Sequence, residues 1–136
     1  MNTLFLSSSV CEQHDMGVSH PESPARLKSI NSMILNTEWG DNLSQMQAPL
    51  LDVSDLTSVH PSYHVDAILE RAPDEGLVYL DADTAINPQS INAALHAAGA
   101  GIFATDQVLA GTVQNAFCAV RPPGHHAEST VAMGFC

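Results

Sequence analysis

The amino-acid sequence predicts an α/β fold with a parallel sheet. An apolar run near each end of the chain has the character of a strand, and segments with helical spacing of apolar residues lie between these runs. Helices between strands are typical of parallel sheets, because parallel neighbours need a long crossover connection. The 136 residues are enough for one domain with a core and too few for two domains of ordinary size.

The first strand is expected in "TLFLSSS", followed by the loop "CEQHDMGVSHPESP", which is dense in turn formers. Ser23 and Pro24 suit the cap and the first position of a helix. Apolar residues then recur at helical spacing: Leu27, Ile30, Met33 and Ile34. These signals predict a helix from about Pro24 to Asn36.

The middle of the chain predicts a mixed loop with one short strand in "TEWGDNLSQMQAPLLDVSDL", then a second helix in "HPSYHVDAILERA" that opens at a proline. One apolar face of this helix is expected to contain Val65, Ile68, Leu69 and Ala72. The segment "LVYLDADTAINP" is expected to be a loop that carries Asp81 and Asp83.

The longest helix is predicted to start at Asn87-Pro88. Its buried side is expected to contain Ile91, Ala94, Leu95, Ala98, Ile102, Val108 and Leu109. Within it, "AALHAAGAGI" is nearly all small, which lets a neighbouring backbone approach closely. "NAFCAV" then predicts a strand buried on both faces of a parallel sheet. Two clear strands are too few for a stable sheet, so we expect the sheet to be incomplete in this chain.

The composition narrows the classes of function. The net charge of −11 disfavours nucleic-acid binding and favours cationic partners such as lysine-rich tails or polyamines. No apolar stretch approaches the ~20 residues of a membrane span, and no basic region precedes the N-terminal apolar patch. A cytoplasmic location is therefore the default expectation. The three cysteines lie far apart, which argues against a disulfide framework or a cysteine zinc site.

The closing segment, "RPPGHHAESTVAMGFC", carries the strongest functional signal. Since functional groups gather beyond the carboxyl ends of parallel strands, "NAFCAV" is expected to place His125 and His126 at that edge. Proline and glycine fix the turn, and imidazole titrates near neutral pH, so the pair is predicted to act as a general acid/base. A zinc site made from this pair alone is not expected, because the chain contains no Asp-x-His.

Four blocks of the sequence resemble, in order, those of the zinc-dependent histone deacetylase superfamily, which includes acetylpolyamine amidohydrolases, acetoin-utilisation proteins and class II-like deacetylases. The blocks are "HDMGVSHPESPARLKSI", "DLTSVHPSYHVDAIL", "LDADTAINPQSINAALHAAGA" and "VRPPGHHAESTVAMGFC". The resemblance implies a three-layer αβα arginase/deacetylase-like fold, of which residues 1–136 form the N-terminal part of a single catalytic domain. It also implies removal of acetyl groups from acetyl-lysine or acetylated polyamine-type amines.

By this resemblance, His125 and His126 match the tandem catalytic histidines. In the family, the second is usually assigned to take a proton from zinc-bound water and to help protonate the leaving amine. Asp83 matches the rim aspartate that hydrogen-bonds the substrate backbone, and the alternative is a loop-capping carboxylate.

The resemblance further matches Gly134 and Phe135 to the wall of the tunnel that admits an acyl-lysine chain, with plain core packing as the alternative. Arg26 matches an arginine beside an internal cavity, and the alternative is a surface arginine paired with an acid such as Glu22. Three other histidines belong to family blocks whose roles look structural: His14, His20 and His60.

The family's zinc ligands, an Asp-x-His pair and a further aspartate, follow the Met-Gly-Phe-Cys block, as does the tyrosine that polarises the substrate carbonyl. The chain thus corresponds to roughly the first third to half of a family member. We expect these 136 residues alone to bind no zinc, to be inactive, and to form homo-oligomers through exposed core surfaces. The alternatives are a non-catalytic homologue that acts through protein–protein association, and an unrelated metal-binding protein that uses some of the histidines.

Overall fold

A computed structural model of the protein describes residues 2–136 and contains a central parallel sheet between helices. The strands are β1 (Thr3–Ser7), β2 (Leu43–Gln47), β3 (Val78–Tyr79), β4 (Ala85–Ile86) and β5 (Asn115–Ala119). The α-helices are α1 (Pro24–Leu35), α2 (Ser62–Glu70) and α3 (Ser90–Leu109). Short 3₁₀ helices lie at Ser9–Glu12, Gly40–Asn42 and Val53–Ser58.

The sheet has the strand order β2-β1-β5, and both pairings are parallel. In the register, Phe5 of the central strand lies opposite Gln45 on one side and Phe117 on the other. The predicted α/β class with a parallel sheet is confirmed. β2 is the short strand expected in the middle of the chain, and its pairing with β1 extends the sheet beyond the two strands that the apolar pattern identified.

Alternate residues of β1 point to opposite faces of the sheet, and each face has its own core. On the α3 side, the core contains Leu4, Leu6, Ala48, Ala100, Ala104 and Val113. On the α1 side, it contains Phe5, Cys11, Leu27, Ile34 and Ala119. The result is three layers, with α1 and α3 on opposite faces of the sheet.

β5 is less buried than predicted. Phe117 is 53% exposed, although its ring stacks on that of Phe5 with 6.0 Å between centroids. The expectation of burial on both faces is therefore wrong. Within residues 2–136, β5 has β1 as its only paired neighbour, and the α1 layer buries Ala119 but leaves Phe117 half-covered.

α1 follows the prediction closely because its start signal is local. The Ser23 hydroxyl accepts the Ala25 N–H at 3.3 Å, and Pro24 occupies the first turn. Leu27 and Ile34 are buried as expected, whereas Met33 is 48% exposed and does not belong to the core face.

The segment predicted as a loop after α2 forms a small hairpin instead. Val78 pairs with Ile86 and Tyr79 with Ala85 in an antiparallel arrangement. The prediction missed the hairpin because its strands are only two residues long. α2 itself begins at Ser62, with Pro61 at the cap position rather than inside the helix.

The buried side of α3 is not the one predicted. Its buried residues are Ser90, Ala93, Gly99, Ala100 and Ala104, whereas Leu109 is 80% exposed and Ile102 is also exposed. The predicted close approach of a backbone is confirmed: a Cβ added at Gly99 would lie 2.3 Å from the carbonyl oxygen of Pro49. Small residues face the sheet, and the larger Ile91 and Leu95 line a cavity instead.

No helix within residues 2–136 combines the length and the hydropathy that a membrane crossing requires.

Candidate active site

A cavity of about 590 Å³ lies beside the segment that follows β5. Val120, Pro122 and His125 from that segment form part of its wall. Apolar side chains of the second and third helices form much of the remainder: Val65, Ile68, Leu69, Ile91, Ala94, Leu95 and Ala98. A concave, mainly apolar site at the carboxyl end of a parallel strand is a common position for ligand binding in α/β proteins.

Arg121 anchors the turn that leads from β5 into this site. The residue is 3% exposed, and its Nε and Nη2 donate to the two carboxylate oxygens of Glu22 at 2.7 and 2.5 Å. Nη1 donates to the carbonyl oxygens of Cys11 and His14 at 2.8 and 2.7 Å. The peptide bond from Arg121 to Pro122 is cis. The sequence prediction did not include this anchor, because Arg121 and Glu22 lie far apart in the sequence.

His14 lies next to this ion pair and is 2% exposed. Its Nδ1 is 2.7 Å from the Ser90 hydroxyl, and its Nε2 is 3.6 Å from Glu22 Oε2. Burial lowers the pKa of His14 to about 4, the Glu22 carboxylate opposes that shift, and the Arg121 guanidinium adds to it. The imidazole is therefore neutral in the folded protein at neutral pH.

His125 and His126 contrast with this buried cluster, because both are exposed. Their ring centroids are 4.3 Å apart, with the planes tilted by 51°. The His126 N–H donates to Cys136 Sγ at 3.4 Å. Gly134, at φ +61°, packs so closely that a Cβ there would lie 2.8 Å from His126 Cβ. The pair lies beyond the carboxyl end of β5, where the sequence predicted it.

The Thr84 hydroxyl links Phe135 to Asp83 by two hydrogen bonds. The Phe135 N–H donates to Thr84 Oγ1 at 3.0 Å, and Thr84 Oγ1 donates to Asp83 Oδ1 at 3.1 Å. Phe135 is half-buried and lines the cavity. The carboxylate of Asp81 accepts the Asp83 N–H at 2.7 Å and caps this turn. Asp83 itself is exposed at the surface.

Arg26 is exposed on α1 and does not line the cavity. Its exposure agrees with the alternative of a surface arginine, but its acidic partner is not Glu22, because the Glu22 carboxylate pairs with Arg121 inside the protein. Arg26 follows the helix start at Pro24 by two residues, and this position on the helix directs it to solvent.

The histidines at the other side of the cavity form contacts of their own. His60 Nδ1 donates to the carbonyl oxygen of Ser129 at 2.9 Å, and the His60 and His64 ring centroids are 5.5 Å apart. Burial lowers the pKa of His64, and the neighbouring His60 lowers it further. Among residues 2–136, no three His, Cys, Asp or Glu side chains are grouped so that they could hold a metal ion. The described residues therefore do not fit zinc by themselves, and they contain no cluster that supports the alternative hypothesis of a metal-binding protein.

Comparisons with known proteins agree with this architecture. The histone deacetylase domain matches residues 20–136. The chain is 36% identical over 124 residues to a histone deacetylase-like amidohydrolase of Pseudomonas aeruginosa, covering 91% of this chain and 32% of that protein. It is 36% identical over 118 residues to histone deacetylase 15 of Arabidopsis thaliana, covering 86% of this chain and 21% of that protein.

A solved structure shows the same fold. The crystal structure of the HDA15 HD domain superimposes with a TM-score of 0.91 at 33% identity, covering 99% of this chain and 40% of that chain. The expected deacetylase-like α/β fold is thereby confirmed. The chain spans a third or less of the length of the two curated relatives named above.

Proposed function

Because this chain belongs to the histone deacetylase family, we propose that it supplies the acid/base histidines and part of the substrate site of an amidohydrolase. The substrate class is an acetyl-lysine or an acetylated polyamine-type amine. Residues 1–136 would act as the N-terminal part of a single catalytic domain, in a cytoplasmic protein that binds neither nucleic acid nor membranes directly.

The observation that carries the proposal is the exposed imidazole pair beside an apolar cavity. His125 and His126 are open to solvent, whereas the turn that bears them is fixed by the buried Arg121. A general acid/base must reach both water and substrate, and fixed geometry raises its efficiency. The exposed pair at a rigid turn fits that requirement.

The chemistry of amide hydrolysis gives each group a step. One imidazole, which we assign to His126, takes a proton from the water that attacks the acetyl carbon. The carbon–nitrogen bond then breaks, and the imidazolium returns the proton to the leaving amine, which yields acetate and the free amine. The apolar cavity wall and the Phe135 ring suit the alkyl chain of a lysine, and the net charge of −11 favours a cationic carrier.

The resemblance implies zinc in the complete family domain, where a metal would activate water. The described residues do not supply its ligand set, so those ligands would come from outside residues 2–136. We accordingly propose that the 136-residue chain alone neither retains zinc nor hydrolyses amides.

A chimeric enzyme tests the proposal. Residues 1–136 would replace the matching segment of the P. aeruginosa amidohydrolase, and acetate release from an acetyl-lysine peptide and from an N-acetylated diamine would be measured. We expect hydrolysis by the chimera and a fall in kcat of about 10²- to 10⁴-fold in its His126→Asn variant. His96→Asn is the matched control, because His96 lies outside the cavity lining and donates to the Ala48 carbonyl.

Two results would contradict the proposal. One is a chimera that folds, as judged by circular dichroism and gel filtration, but releases no acetate from either substrate. The other is an active chimera whose rate is equally insensitive to His126→Asn and to His96→Asn.

Self-association and a non-catalytic role in protein–protein contact remain predictions. The exposed Phe117 on β5 supports them, because an apolar side chain on an edge strand favours pairing with another chain. A catalytic role is favoured over a purely associative one by the exposure of the histidine pair, which association through β5 does not use.

A further inference from the structure

His20 contacts two of the segments that border the proposed substrate site. It lies in the loop before α1, yet it reaches the hairpin turn at Asp83 and the closing segment at Phe135. The sequence suggested a structural role for His20 and no contact with either residue.

Both ring nitrogens of His20 make polar contacts with the backbone. His20 Nδ1 lies 3.2 Å from the Glu22 backbone nitrogen and 3.4 Å from the Glu22 carbonyl oxygen. On the other side of the ring, Nε2 donates to the carbonyl oxygen of Asp83 at 3.2 Å. The imidazole thus joins the backbone of the buried Glu22 to the turn that carries the Asp83 side chain.

The third contact of His20 is with Phe135. The two rings meet edge to face, with centroids 4.7 Å apart and planes at 82°. Phe135 has φ +70°, a left-handed conformation that a non-glycine residue adopts only when its surroundings hold it there. The His20 ring and the bond from the Phe135 N–H to Thr84 Oγ1 are two such restraints.

Phe135 in turn connects to the histidine pair through its neighbour. Gly134 packs against the His126 side chain with no room for a Cβ, so a shift of Phe135 would move Gly134 and then His126. We propose that His20 is a positioning residue that holds Asp83 and Phe135 in fixed relation to His126 and thereby determines the affinity for acyl-lysine in a peptide. This inference rests on the proposed function, because it assigns substrate contact to Asp83 and Phe135.

Three substitutions separate the contacts of His20. His20→Phe keeps a ring against Phe135 and removes both hydrogen bonds. His20→Gln keeps a donor that can reach the Asp83 carbonyl and removes the ring. His20→Ala removes the ring and both hydrogen bonds. His96→Ala is the matched control, since His96 is also half-buried and also donates to a carbonyl oxygen.

The functional test uses the chimeric enzyme described above, with an acetyl-lysine peptide and with free Nε-acetyl-lysine methylamide as the small substrate. For His20→Ala, we expect KM for the peptide to rise by about 2- to 10-fold, as for loss of one hydrogen bond, with kcat within 2-fold. The small substrate should be less affected, and His20→Gln should recover part of the peptide KM. Equal losses of kcat on both substrates, or a KM equal to that of His96→Ala, would overturn the proposal.

A second measurement tests the positioning role of His20 without an activity assay. Amide hydrogen exchange on the 136-residue chain reports whether the Phe135 N–H keeps its bond to Thr84. We expect faster exchange at Phe135 in His20→Ala, near-normal exchange in His20→Phe, and no change in His96→Ala. If the chimera is inactive but this pattern appears, the proposed function fails and His20 still positions Phe135. Unchanged Phe135 exchange in His20→Ala refutes the positioning role.

Discussion

The two ends of the turn from Arg121 to His126 have opposite environments. Arg121 is buried, and each of its side-chain nitrogens donates to a carboxylate or a carbonyl oxygen. His125 and His126 are exposed, and their rings pack against each other beside an open cavity. A few residues of backbone therefore separate a fully satisfied buried cation from two accessible imidazoles.

This difference indicates how the fold divides two tasks. A buried bidentate ion pair with additional hydrogen bonds fixes direction, because any displacement would leave a desolvated charge unpaired. Reactive side chains need access and gain from a rigid base. The anchor and the open pair are thus complementary, and each should respond differently to substitution.

The largest effect is expected at the anchored end. Glu22→Leu should lower the free energy of unfolding by about 3–5 kcal/mol, because Arg121 would remain buried without its carboxylate. Urea unfolding followed by circular dichroism measures this change. The double variant Glu22→Leu/Arg121→Met should recover part of the loss, since no buried charge is then left unpaired.

Arg26→Met is the matched control for the anchor. Arg26 is close to Glu22 in sequence but is exposed and does not pair with it, so its substitution should change the free energy of unfolding by no more than about 0.5 kcal/mol. Comparable losses from Arg26→Met and Glu22→Leu would mean that the ion pair does not anchor the turn.

The next effect is a pH dependence that originates at His14 in the same buried cluster. The pKa of His14 is about 4 in the folded protein against 6.5 without burial. Between these values the unfolded chain binds a proton that the folded chain does not, so stability falls as the pH drops below 6.5. The contribution of His14 should lower the free energy of unfolding by about 3 kcal/mol near pH 4, and this loss levels off below that pH.

Unfolding by urea at several pH values from 7.5 to about 4, for the wild type and for His14→Gln, isolates this contribution. Acidic residues titrate at the lower end of the range in both proteins, so the difference between the two curves reports His14. Parallel curves would show that His14 does not carry the predicted proton linkage.

Local chemistry explains which parts of the fold could be predicted. The start of α1 was predicted correctly because Ser23 and Pro24 by themselves meet the requirements of a helix N-terminus. The strand β1 was predicted correctly because a short apolar run next to turn formers has few other structures available. The prediction of the buried side of α3 was wrong because apolar residues occur on most sides of that helix. The close approach of the backbone at Pro49 decides which side is buried.

The same distinction applies to the candidate site. The histidine pair was predictable because the Pro-Pro-Gly turn and the preceding strand are adjacent in sequence. The anchor was not predictable, since Arg121 and Glu22 lie 99 positions apart and Arg26 was the nearer candidate for the ion pair. The contacts of His20 with Asp83 and Phe135 likewise depend on the folding together of three separate segments.

The smallest effect on stability is expected at the open end of the turn. His125→Asn and His126→Asn should each change the free energy of unfolding by less than about 0.5 kcal/mol, because an exposed imidazole gains little from folding. The same His126→Asn substitution is expected to abolish most of the hydrolysis by the chimeric enzyme, so stability and activity should separate at this residue. Urea unfolding of both variants beside Glu22→Leu provides the comparison on one scale. A loss at His126→Asn as large as that at Glu22→Leu would mean that the pair stabilises the fold, and the division between anchored and open ends would then be wrong.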